Sequence, residues 1–112
     1  MTNKKSTLLI LTRNQLGDGD SELGQKILGT FLRKAIRLNH LDAIVLFNEG
    51  VKLTMKNSPV LSEMTMLEER GVDLMPCGTC LDYYKIEPCF GKVSDMDSIL
   101  MEIDRADKVI SF

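Results

Sequence analysis

Apolar residues fall into two alternating patterns along the chain. Short, near-continuous apolar runs occur at residues 7–11 (TLLIL), 43–47 (AIVLF), 72–75 (VDLM) and 108–110 (KVI), and residues 92–93 in FGKVS form a weaker fifth. Runs of this kind suit strands buried on both faces, and hence a parallel sheet covered by helices. Between them the spacing becomes helical. Leu23, Ile27, Phe31 and Ala35 fall four apart, with Leu28 and Leu32 beside them, which predicts an amphipathic helix over residues 21–38. Asp20 or Ser21 caps its start. Ser58 and Pro59 read as a cap and first-turn pair, Val60, Met64 and Leu67 as the buried stripe, and Gly71 as the stop. Met96, Ile99, Leu100 and Ile103 mark the last helix, and a short helix is expected from Cys80 until Pro88 stops it. The order β-α-β-α-β-(short α)-β-α-β, with right-handed crossovers, predicts an α/β fold: a three-layer α/β/α sandwich around a mainly parallel, five-stranded sheet.

Composition narrows the class. At 112 residues, with 44% hydrophobic and 27% charged residues, the chain reads as one soluble globular domain spanning residues 1–112. Its formal net charge of −2 argues against nucleic acid as a partner. The basic cluster Lys26, Arg33, Lys34 and Arg37 is interleaved with apolar positions and reads as a solvated helix face. The amino terminus mimics a signal peptide, but its apolar run is too short and Arg13 follows at once. No stretch approaches the length of a membrane span. Three cysteines at uneven spacing do not suggest a disulfide framework, so a cytoplasmic protein with reduced thiols is expected. The seven methionines fall mostly at apolar helix positions or element ends and read as core filling.

In open parallel sheets, ligands gather at the carboxyl ends of the strands. That rule collects Thr12-Arg13-Asn14, Asn48-Glu49-Gly50, Pro76-Cys77-Gly78 and Ser94-Asp95 at one edge. GDGDSELG (residues 17–24) lacks phosphate-loop spacing and a P-loop lysine, and its acidic residues would repel a phosphate. It does not continue a calcium-loop pattern either. It reads as a flexible loop ending in a helix cap. His40 precedes the second strand, about 16 Å from Cys77 along the strand direction, too far to serve it as a base.

The remaining chemistry lies in MPCGTCLDYY (residues 75–84). A structural zinc site needs four ligands, and only one C-x-x-C pair is present, with Cys89 as a third thiol; no metal and no cofactor is expected. A dithiol redox pair fits a strand leading into C-x-x-C and a short helix, although the motif follows the third strand and contains Gly78-Thr79. A sulfur carrier needs an accessible thiolate and backbone N–H groups near its terminal sulfur. Thr79 as helix cap places Cys80 in the first turn and Cys77 just ahead of it, where both thiols sense the helix end. Gly78 permits close approach, and Asp82, Tyr83 and Tyr84 can line the opening. Cys77 is expected to be the more accessible and more reactive thiol, with Cys80 partly covered. Cys89 reads as a small buried or boundary residue.

GDGDSELG, FNEGVKLT (47–54), NSPVLSEM (57–64), LEERGVDLMPCGTCLDYY (67–84) and ADKVISF (106–112) follow one another in an order that resembles the DsrE-like domain of YedF-type proteins, which are sulfurtransferase-like proteins associated with selenium metabolism. The likeness covers essentially the whole chain, and CGTCLDYY after a buried strand is its most distinctive part. It implies the DsrE/DsrF-like α/β fold, related to the subunits of the sulfur relay that thiolates tRNA. It also implies a persulfide on the cysteine that follows the third strand, which by position is Cys77, with Cys80 as its neighbour. Homo-oligomers are common among such proteins, and the expected contact elements are the edge of the sheet and the segment Leu53-Thr54-Met55 after Val51. YedF-type proteins usually carry an amino-terminal TusA-like domain with a Cys-Pro-x-Pro motif. This chain has no such motif, so the sulfur or selenium donor is expected to be a separate, TusA-like protein. SDMDSI (94–99) matches the family pattern only loosely. A dithiol–disulfide sensor and a non-catalytic binding subunit remain the alternatives.

Overall fold

The computed structural model describes residues 6–38 and 40–112, so residues 1–5 of the leader-like segment lie outside it. Strands β1 (Thr7–Leu11), β2 (Leu41–Leu46), β3 (Asp73–Pro76) and β4 (Lys108–Ser111) form one parallel sheet in the order β3-β2-β1-β4. Helices α1 (Ser21–Lys34), α2 (Leu61–Glu69), α3 (Gly78–Tyr84) and α4 (Met96–Arg105) connect them.

The strand alternation divides the core into two. Leu9, Leu11, Ile44, Leu46 and Leu74 face one side, where Leu28 and Leu32 of α1 and Met64 and Leu67 of α2 cover them. Leu8, Ile10, Ala43, Val45 and Cys77 face the other, a smaller cluster closed by Ile99 of α4. These are the three expected layers.

The sheet has four strands, not five, and Pro76 explains the missing one. Beyond β3 the chain forms a single parallel bridge, Cys77 to Ser94, built from Ser94 N–H to Pro76 O and Gly78 N–H to Ser94 O, both at 2.8 Å. Lys92 N–H donates to Leu74 O at 2.9 Å. A second bridge at that level needs a donor from residue 76, and proline has no N–H. The weak fifth run therefore remains an isolated bridge.

Several element ends shift for equally local reasons. Asp20 caps α1, accepting from Leu23 N–H at 2.9 Å, and a 3-10 turn over Ala35–Arg37 completes the expected length. The buried stripe of α1 is Gly24, Leu28 and Leu32 continuing to Ala35, whereas Leu23 and Ile27 are exposed. Ser58 does not cap α2 directly. Its hydroxyl accepts from Val60 N–H and its carbonyl from Leu61 N–H, which delays the helix to Leu61. Gly71 follows α2 with φ +99, the left-handed stop expected of it. α3 begins at Gly78, capped by Cys77 and not by Thr79, and ends at Lys85 in the left-handed conformation, before Pro88 is reached. Residues Asn48–Thr54 form a 3-10 segment tucked under the sheet edge, with Val51, Leu53 and Thr54 buried in the chain's own core. Leu53 and Thr54 are thus unavailable as the contact expected of them. Gly50 is required here, because a Cβ would collide with Leu11 O at the end of β1.

Candidate functional site

The carboxyl end of the sheet gathers the residues that chemistry needs. β3 ends at Pro76, Cys77 turns the chain, and α3 starts at once. Cys77 is 5% exposed, its side chain in the smaller apolar cluster with Ile99 and Val45. Cys80, one turn further, is half-buried and packs against both clusters. The expected order of accessibility is therefore reversed: the cap position points Cys77 beneath the sheet edge, and the first turn brings Cys80 outward. Both thiols are free, and Cys80 packs against the cluster that encloses Cys77.

Asn48 supplies the next contact. It follows β2 at φ +50, a left-handed conformation that asparagine tolerates better than most residues. Its backbone N–H donates to Cys80 Sγ at 3.1 Å. Tyr84 holds Asn48 there, its hydroxyl donating to Asn48 Oδ1 at 2.7 Å, while the ammonium of Lys52 sits 4.8 Å from the centre of the Tyr84 ring. Burial pushes the Cys80 thiol above its ordinary range, the Asn48 N–H pulls it down, and a hydrogen bond with Cys77 together with the charge of an ionised Cys77 pushes it up again; the net direction is upward.

Beside Asn48 opens a hollow of 470 Å³ lined by Thr12, Arg13, Phe47, Asn48 and Glu49. Arg13 pairs with Asp18, and the side-chain amide of Gln15 donates to Gly17 O and Gly19 O, which folds the GDGD loop back beside this opening. A larger groove of 520 Å³ runs between α4 and the outer edge of β3, past Asp73, Lys92, Ser98 and Glu102, and neither cysteine lines it.

The anticipated residues separate on inspection. Cys77, Cys80 and Asn48 converge. Asn14 follows Arg13 without lining the hollow. Thr79 and Asp82 are exposed on α3, and Tyr83 is 80% exposed, touching the edge of Tyr84. Tyr84, and not Tyr83, reaches the site; its spacing of four from Cys80 puts both on one helix face, and that spacing was the available signal. Lys52 had none, since its approach depends on the 3-10 segment. Gly78 does allow a close approach, but by the chain's own loop: its N–H is bonded to Ser94 O, and a Cβ would meet Val93 Cγ1 at 3.1 Å. Cys89 is exposed, not buried. His40 lies at the amino end of β2, across the sheet from the thiols. Among the described residues no group of three histidine, cysteine or acidic side chains is placed to hold a metal ion.

The model of the DsrE/DsrF-like family matches residues 16–112. The chain belongs to that family. Solved structures agree on the fold. The ychN protein of E. coli superposes with a TM-score of 0.70 at 16% identity, covering 96% of this chain and 99% of that one. MTH1491 from Methanobacterium thermoautotrophicum, a protein of unknown function, gives 0.71 at 15% identity with the same coverage. BT1422 from Bacteroides thetaiotaomicron, also of unknown function, gives 0.66 at 19% identity, covering 96% and 95%. At these identities the likeness carries the fold alone. A comparison with curated proteins found no match to the sequence. Among the described residues no helix of this DsrE/DsrF-like protein is long and apolar enough to cross a membrane.

Proposed function

We propose that this DsrE/DsrF-like protein is a persulfide carrier in a sulfur or selenium relay, loading at the Cys77–Cys80 pair. One observation carries the reading: Cys80 is the more accessible thiol of the pair, and a fixed backbone N–H, that of Asn48, is aimed at its sulfur. The Cys80 thiolate attacks the terminal sulfur of a donor persulfide. A bond forms between Cys80 Sγ and that sulfur, the donor's S–S bond breaks, and the donor leaves as a thiolate that takes up a proton. The resemblance assigns the sulfur to Cys77 by position; burial of Cys77 favours Cys80 as the first acceptor. No metal or buried base is needed for exchange of this type, which depends on thiolate fraction and access. The same reading includes a TusA-like donor, a YedF-type place in selenium metabolism, a cytoplasmic setting and a homo-oligomeric carrier.

The i, i+3 placement of the two cysteines at the start of α3, with Cys80 packed on the cluster that holds Cys77, also favours a second reading, a dithiol–disulfide protein. Intact mass after brief incubation with a persulfide donor separates them. A carrier gains one sulfur, in the wild type and in Cys77→Ser, and fails to gain it in Cys80→Ser. A redox protein loses two hydrogens with ordinary disulfides as readily as with persulfides. A binding subunit does neither.

A further inference from the structure

A carrier needs one thiol, and this site holds two. Cys77 and Cys80 are spaced i, i+3 across the cap and first turn of α3, and Cys80 packs against the smaller apolar cluster that holds Cys77. The strand end and the Ser94 bridge fix Cys77 at its backbone, and the smaller core cluster encloses its side chain. A donor or acceptor protein arriving at the surface meets Cys80, whereas Cys77 is 5% exposed and enclosed in the smaller cluster, against which Cys80 packs. That arrangement separates an outer thiol, which exchanges with partners, from an inner one, which can react only with its neighbour.

We infer that Cys77 is a resolving thiol that discharges a persulfide on Cys80 as sulfide when no acceptor takes it. This rests on the carrier reading above. The Cys77 thiolate attacks Sγ of Cys80, the inner sulfur of the persulfide. A Cys77–Cys80 disulfide forms, the bond between Cys80 Sγ and the terminal sulfur breaks, and the electron pair leaves on the terminal sulfur as hydrosulfide. The proton lost by Cys77 balances as hydrogen sulfide. Over loading and discharge, one donor persulfide and two cysteine thiols give one donor thiol, one disulfide and one hydrogen sulfide. The terminal sulfur is reduced and the two cysteines are oxidised, so the donor persulfide is the only oxidant required. Two equivalents of an external thiol reset the pair by ordinary exchange. The neighbouring thiol reacts intramolecularly, an advantage that reaches many orders of magnitude for well-aligned groups.

The site therefore has two exits for sulfur, transfer to an acceptor and release as sulfide, and the presence of an acceptor decides between them. Release leaves a carrier that cannot reload until it is reduced. This is a function beyond carriage: persulfide-dependent sulfide release that also switches the carrier off.

The test uses the full chain with Cys89→Ser as background, loaded with glutathione persulfide, freed of donor, and followed by intact mass and a sulfide assay. In the Cys77-containing protein the added sulfur should disappear, replaced by a mass lower by two hydrogens and by one sulfide per chain, with a peptide joining Cys77 to Cys80. In Cys77→Ser the added sulfur should persist roughly tenfold longer or more. Cys77→Ala provides the same comparison without a buried hydroxyl, and circular dichroism checks that each variant is folded. Equal persistence with and without Cys77, or sulfide release with no Cys77–Cys80 peptide, overturns the inference while leaving the carrier intact. If no folded variant gains a sulfur, the carrier reading itself has failed and the inference falls with it.

Discussion

The backbone N–H of Asn48 lies 3.1 Å from Sγ of Cys80, and it is held there by a residue that touches neither atom, Tyr84, through the Asn48 side chain. Thus β2 delivers the donor, α3 delivers both the thiol and the tyrosine, and one left-handed residue joins the two. Removal of the Tyr84 hydroxyl tests the relationship. Tyr84→Phe keeps the ring beneath Lys52 and loses one hydrogen bond, costing about 0.5–1.5 kcal/mol of stability. Sulfur loading at Cys80 should slow several-fold and the Cys80 titration should move further up, because the one influence drawing it down is loosened. Thermal melts and alkylation at varied pH read both; unchanged alkylation would show that the Asn48 N–H holds its place unaided.

The conformation of Asn48 is separable from its side chain. Asn48→Gly preserves the left-handed backbone and removes the anchor, whereas Asn48→Ala also adds a backbone cost of roughly 1–2 kcal/mol. The alanine variant should be the less stable of the two, and both should load sulfur more slowly than wild type. Denaturant melts and loading rates check the order; a glycine variant less stable than alanine would contradict it.

The upward shift of Cys80 makes a prediction with a definite sign. Its folded value lies above its unfolded one, so its contribution to stability is complete below the unfolded value and is lost as pH rises through the folded value. Wild-type stability should therefore decline on the alkaline side of that point, and Cys80→Ala should flatten this part of the profile. Alkylation of Cys80 should show its inflection above the ordinary thiol range. In Cys77→Ala the inflection should fall, since the partner's hydrogen bond and charge are gone, but burial should keep it from reaching the value of an exposed thiol. An inflection that does not move on removing Cys77 would show that the thiols are uncoupled.

Gly78 is expected to be costly to replace for a reason internal to the fold. An added methyl meets Val93 Cγ1 at 3.1 Å and Ser94 O at 3.3 Å, on the bridge that fixes the cap of α3. Gly78→Ala should destabilise by about 1–3 kcal/mol. Val93→Ala in the same chain should recover part of it, because the side-chain obstacle is removed while the carbonyl remains. Urea unfolding of the single and double variants measures the coupling; strict additivity would place the strain elsewhere.

The parallel sheet, its layers and the edge where the thiols sit were legible in the sequence because they follow from strand runs buried on both faces and from the rule for carboxyl ends. TLLIL and AIVLF became β1 and the body of β2, and the C-x-x-C fell where β3 gives way to a helix. What escaped depends on contacts between distant segments. The missing N–H of Pro76 matters only once Lys92 lies opposite β3. The burial of Cys77 follows from Ile99 of α4 arriving beneath it, from 22 positions further along the chain. Tyr83 and Tyr84 look alike in sequence, and only Asn48 in left-handed backbone tells them apart. The stripe on α1 was misplaced because Gly24 and Gly29 carry no hydrophobic signal, yet they let the helix lie close.

That helix face and α4 leave apolar surface uncovered, which bears on assembly. Ile99 of α4 is fully buried, yet Met96, Leu100 and Met101 are 57%, 59% and 70% exposed, and Val93 just before the helix is 61% exposed. Met96 and Leu100 are four apart and share a helix face, and Val93 lies against Gly78 beside the thiols. An apolar surface of this kind on so small a chain is expected at a contact between copies. Self-association is thus expected at α4 and not at Leu53 and Thr54, which are buried. Light scattering at micromolar concentration should show an oligomer for the wild type and a smaller species for Leu100→Glu. Because Leu100 makes little use of its own core, the monomeric fold of the variant should be stable to within roughly 0.5 kcal/mol. A wild type already monomeric at that concentration, or a Leu100→Glu chain still fully assembled, would remove α4 as the contact; reduced mass with a retained circular dichroism spectrum would establish it.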